Sequence, residues 1–95
     1  MTKDGALIDR LAAQLRECTA EIAALQVRAA EVSADRRGTY ERHLNDLEKR
    51  RIDLIARADA VREADAHRVE TLSQALKPEI DELRMALSDA KSRFH

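Results

Sequence analysis

The sequence predicts an all-α chain: an antiparallel helical hairpin, or coiled coil, with a Pro-kinked C-terminal helix, assembling into an oligomeric bundle. Three observations lead there. The first third carries an unbroken heptad seam, the composition lacks the material of a sheet, and apolar positions extend beyond the reach of one hairpin.

The seam is Ile8, Leu11, Leu15, Cys18, Ile22, Leu25, Ala29 and Val32. Alternating spacings of three and four are the a/d stripe of a helix that buries one face against another helix. Composition agrees. Hydrophobic residues make up 44% of the 95 positions, but 17 of them are alanine, and the only large aromatics are one Phe and one Tyr. So few aromatic and β-branched residues cannot build a sheet or a thick globular core. A charged fraction of 37% with a net charge of only −1 suits long exposed helices better than disorder. A chain of this length is one small domain that gains from oligomerisation.

The first helix is expected over residues 5–33, with Asp4 as its N-cap. The seam then meets Arg36 and Thr39, and Gly38 offers a left-handed closing residue, so the turn is placed at 35–39. The second helix is expected over 40–76, carrying Leu44, Leu47, Leu54, Ile55, Ala58 and Val61. Folding there pairs Leu44 with Ala29, Leu47 with Leu25, Leu54 with Cys18, Ala58 with Leu15 and Val61 with Leu11. Pro78 removes a backbone donor and disfavours helix at Lys77, so it should kink or end the second helix and open a third over 78–94.

A hairpin whose first arm ends near residue 33 leaves everything past about residue 69 uncovered. Yet Val69, Leu72, Leu76, Ile80, Leu83, Leu87 and Phe94 form a buried-type stripe. Each Leu or Ile is worth about 1.5–3 kcal/mol on burial, so another copy of the chain is expected to cover them.

Candidate chemistry is sparse. One cysteine permits neither a disulfide framework nor a Cys-rich zinc site, and Cys18 sits at a d position as a small core hydrophobe. Asp59, Glu63 and His67 are spaced to share one helix face, but a lone Glu-x-x-x-His lacks the duplicated Glu-x-x-His of a di-iron bundle. Charge pairing along the helix, as Asp46–Arg50, Asp53–Arg57 and Asp59–Arg62, is the plainer use of such residues. No phosphate loop or nucleophile elbow occurs, so neither an enzyme nor a cofactor is expected.

Charge is uneven. Residues 36–51 hold Arg36, Arg37, Arg42, Lys49, Arg50 and Arg51 against three acids, between two flanking segments that are each net negative. This reads as a basic tip at the turn, and Arg51 occupies a seam position where a polar residue can fix register. The N-terminus has no secretory signal and no apolar run approaches the roughly 20 residues of a bilayer span. The expectation is a cytoplasmic interaction protein, an adaptor, scaffold or assembly factor. Its partners would be itself and another protein. The alternative is a nucleic-acid or membrane-surface binder acting through the basic tip.

Overall fold

The computed structural model describes residues 3–93, which form three helices: α1 (Lys3–Ala29), α2 (Ala34–Arg62) and α3 (Ala66–Arg93). They contain 27, 29 and 28 residues. Near-equal lengths let each helix pack along both others, giving a rod of 51 × 17 × 17 Å. Cross-helix ion pairs report the directions. Arg62 bonds Asp9 at 3.1 Å and Arg57 reaches Glu79 at 2.6 Å, across antiparallel neighbours, whereas Lys91 meets Glu21 at 3.3 Å across the parallel pair α1 and α3.

The core is one continuous cluster. Ile8, Leu11, Leu15, Cys18, Ile22, Leu25 and Ala29 of α1 meet Tyr40, Leu44, Leu47, Leu54, Ala58 and Val61 of α2. The third wall is Leu76, Ile80, Leu83, Leu87 and Ala90, with Ser73 on the same stripe. Leu7, Val32, Ile55, Val69, Leu72 and Ala86 are partly buried against it. The stripe from Leu76 to Leu87 therefore does not wait for a second copy. Residues 66–93 fold back and bury it within the chain, which corrects the expected oligomer interface; Phe94 lies outside the described residues.

Three boundaries also differ from the sequence expectation. The first turn spans residues 30–33, not 35–39, so Gly38 and Thr39 lie inside α2. Ser33, extended at φ −61° and ψ 153°, takes the N-cap position, and its carbonyl accepts the N–H groups of Arg36 and Arg37 at 3.1 and 3.0 Å. Its hydroxyl makes no capping bond. The Arg37 guanidinium ties α2 to the turn instead, donating to the carbonyls of Ala30 at 3.3 Å and Val32 at 3.1 Å. A cation placed at a helix C-terminus satisfies carbonyls that have no partner further along the helix.

The second correction is a turn at residues 63–65, inside the span expected to be helix 40–76. The Glu63 N–H donates to Ala60 at 3.2 Å, and the Asp65 carbonyl accepts from Arg68 at 2.8 Å and Val69 at 3.2 Å. Thirdly, Pro78 ends nothing. It sits exposed inside α3, between the buried Leu76 and Ile80. Facing solvent, the carbonyl that its missing N–H would have bonded is open to water.

Moving the first turn toward the N-terminus slides α2 along α1. Arg51, rather than Leu54, stands level with Cys18, as its 3.1 Å hydrogen bond to Thr19 shows. The layers expected from a turn at 35–39 are shifted by about one helical turn.

Candidate functional surface

Closing the core inside one chain moves any function to the outside of the rod. Among the described residues no group of three or more His, Cys, Asp and Glu side chains is placed to hold a metal. The Asp59, Glu63 and His67 face does not exist as expected: Asp59 is on α2, Glu63 in the second turn and His67 on α3. Among the described residues no helix is long and apolar enough to cross a membrane.

Cys18 is buried and reduced. Burial pushes its thiol up, Glu21 and Glu17 push the same way, and Arg84 and Arg51 oppose them. A thiol held neutral is a poor nucleophile, and Cys18 fills space in the core.

The six basic-tip residues do not form a tip. They lie along more than half of α2 and are engaged differently. Arg37 ties down the first turn through the carbonyls of Ala30 and Val32. Arg42 donates to its own helix at Gly38, 3.3 Å away. Arg51 is half-buried in the seam, held by both oxygens of Glu48 and bonded to Thr19. That pairing holds the Glu48 carboxyl below its ordinary range, the hydrogen bond from Arg51 being the main cause. Arg36, Lys49 and Arg50 are exposed. A feature missed in the sequence is a straight row of bases at seven-residue spacing: Arg36, His43, Arg50 and Arg57, of which Arg57 makes a two-pronged bond to Glu79 on α3.

The local charge pairs are also rearranged. Only Asp53–Arg57 forms, loosely at 3.8 Å, since Arg57 prefers Glu79. Arg62 leaves Asp59 and crosses to Asp9 on α1. Asp46 and Asp59 are exposed on different flanks of α2, without an ion pair among the described residues. Ile52 is 54% exposed, and Asp53 lines the cleft between α2 and α3 with Arg50, Glu79 and Glu82.

Opposite α2, between α1 and α3, runs a groove of about 520 Å³ lined by Glu21, Asp81, Arg84, Met85, Ser88 and Lys91. Met85 is 72% exposed at its rim. Lys91 holds Glu21, and Lys77 holds Asp81 at 2.8 Å. Arg84 pairs with neither acid. The signal for Met85 and Ile52 is present in the sequence: both fall on the outward face of their helix once each seam is framed separately.

The second turn also had a signal. Glu63-Ala64-Asp65-Ala66-His67-Arg68 repeats the pattern of Glu31-Val32-Ser33-Ala34-Asp35-Arg36 at the first turn. Each places Ser or Asp just before a helix. Comparisons with family models, curated proteins and solved structures returned no match for this chain.

Proposed function

We propose that this chain is a non-enzymatic protein–protein interaction module, an adaptor, scaffold or assembly factor that works through the outer faces of its helices. The observation that carries this reading is the pairing of a self-sufficient core with large apolar side chains on the outside. Met85 overhangs an elongated groove, and Ile52 projects from a helix whose core-facing side is already satisfied. Helix faces and grooves of this kind take partner helices by apolar anchors with charged flanks. The grooves are open and shallow, unlike the concave apolar pocket of a small-molecule site. A cytoplasmic setting, where a lone thiol such as Cys18 stays reduced, suits the same role.

The test is isolation of the chain from its native cell with Met85→Lys as a matched control. A protein that co-purifies with the natural sequence and is lost with the variant supports the reading. A chain that binds neither itself nor any other protein overturns it. The nucleic-acid or membrane alternative predicts retention that falls steeply with salt and ignores Met85.

A further inference from the structure

We propose that the turn at residues 63–65 is a hinge through which two copies of this chain exchange α3. In the open form α2 and α3 of each copy run on as one helix from Ala34 to Arg93, about 90 Å long. The α3 of each copy then packs against α1 and α2 of the other. This goes beyond the helix-face reading above and does not depend on it.

The two turns of the chain are built differently. At the first, Ser33 leaves helical geometry at φ −61° and ψ 153°, and Arg37 fastens the chain through the carbonyls of Ala30 and Val32. At the second, Glu63 keeps right-handed helical geometry at φ −88° and ψ −6°. Its N–H and that of Ala64 still bond backward, to Ala60 at 3.2 Å and Val61 at 3.1 Å. Among the described residues no φ is positive, and no side-chain hydrogen bond or ion pair holds Glu63, Ala64 or Asp65. No glycine or proline lies between Val61 and Lys77, and Glu and Ala are good helix formers. Straightening this turn therefore breaks no side-chain tie and restores the helical hydrogen bonds that the turn interrupts.

The apolar stripe also crosses the turn in phase. Val69, Leu72 and Leu76 follow Val61 by eight, eleven and fifteen residues, which returns them to one side of an unbroken helix. In the closed chain Val69 and Leu72 are only half-buried. Because α2 and α3 are antiparallel neighbours, bonded at Arg57 and Glu79, the exchange reproduces the closed contacts between copies. Leu76, Ile80, Leu83 and Leu87 meet the same walls, and Arg57 meets Glu79 of the other copy. The long helices cross at the former turns, where Val69 and Leu72 gain cover. Such a contact is isologous and closes at a dimer. Both forms bury the same core, so concentration decides between them.

Refolding of the full chain from urea at about 10 μM and at about 1 mM, followed by size exclusion, tests the proposal. A dimer with full helix content is expected from the concentrated sample, reverting slowly to monomer on dilution. Ala66→Pro suits the first position of α3 but breaks a helix that runs through it. The dimer should then fall by about a hundredfold or more in a chain that stays helical. Arg57→Glu and Glu79→Arg each set like charges across α2 and α3 within one chain, and exchange between the two variants restores opposite ones. Refolded together, they should give a mixed dimer in excess of either variant's own. Met85→Lys and Ile52→Lys should leave the natural dimer unchanged. A natural chain that stays single at the higher concentration overturns the proposal, as does a dimer that survives Ala66→Pro. A mixture with no excess of mixed dimer, or a dimer lost with Met85→Lys, overturns it too, and the helix-face reading keeps its own separate test.

Discussion

Arg51 of α2 donates to the Thr19 hydroxyl of α1 at 3.1 Å, and Thr19 in turn donates to the Leu15 carbonyl at 3.0 Å. The same guanidinium is gripped by Glu48, so a charged side chain occupies a seam position with its hydrogen bonds met. A satisfied polar residue in a seam sets alignment more than it adds stability. Arg51→Met should therefore change the unfolding free energy by less than about 1.5 kcal/mol, as an apolar replacement of similar length. Arg51→Ala loses the stem packing as well and should cost about 1–3 kcal/mol. Urea unfolding of both variants checks the difference.

Glu48 links that alignment to pH. Its carboxyl is held down by Arg51 in the folded chain, so the stability it contributes is present above the ordinary carboxylate range and is lost as pH falls through its lowered value. Thermal melts from pH 7 to pH 3 should show a decline that is shallower in Glu48→Gln. Equal slopes in the two chains would remove Glu48 from the account.

Gly38 and Pro78 are helix breakers placed within helices. Gly38 has no positive φ, and a Cβ there meets nothing within 4 Å. Gly38→Ala should raise stability by about 1 kcal/mol. Pro78→Ala restores a backbone donor on an exposed turn of α3 and should also stabilise, by up to about 3 kcal/mol. A turn at 35–39 closed by Gly38 would give the opposite sign for Gly38→Ala in the same denaturation experiment.

Ser73 is fully buried with no hydrogen-bond partner for its hydroxyl among the described residues. Removing an unmet polar group from a core recovers its desolvation cost, about 1–3 kcal/mol less the packing of one atom. Ser73→Ala is expected to raise the unfolding midpoint, and a lowered midpoint would show that the hydroxyl is bonded in solution.

Leu83 is 1% exposed in the wall that α3 gives to the core. Leu83→Asp places a carboxylate against both other helices, so helix content should collapse across the whole chain and not only beyond residue 66. Circular dichroism reads this directly. Survival of a helical hairpin would mean that α3 is an accessory to the first two helices.

Seven of the eight seam residues, Ile8 to Ala29, were legible because they repeat without interruption and all seven are buried in α1, whereas Val32 is half-buried in the first turn. The α2 and α3 stripes were legible as stripes, since burial chooses Leu44, Leu47, Leu54, Leu76, Ile80, Leu83 and Leu87 whichever helix covers them. The turns were not. Gly38 and Pro78 carry the strongest local preferences in the chain, yet both lie in helices, because helix propensities of about 1–3 kcal/mol yield to the packing of a whole face. Turns at Ser33 and Asp65 instead give three arms of matching length, and the second leaves no apolar stripe for another copy to cover.

The sequence by itself determined helix, the inner face of each helix and the absence of sheet, since these follow from spacing and composition along a local stretch. Only the tertiary structure decided how many helices the chain makes, which residue of α2 stands beside which residue of α1, and which charges are left over. Arg62 chooses Asp9 over Asp59, and Arg57 chooses Glu79 over Asp53. Those choices depend on side chains brought together from distant parts of the chain, and the first of them leaves Asp59 without an ion pair among the described residues. Periodicity fixes which face is inward; the charge that remains on the outward face is settled by the register of the packed helices.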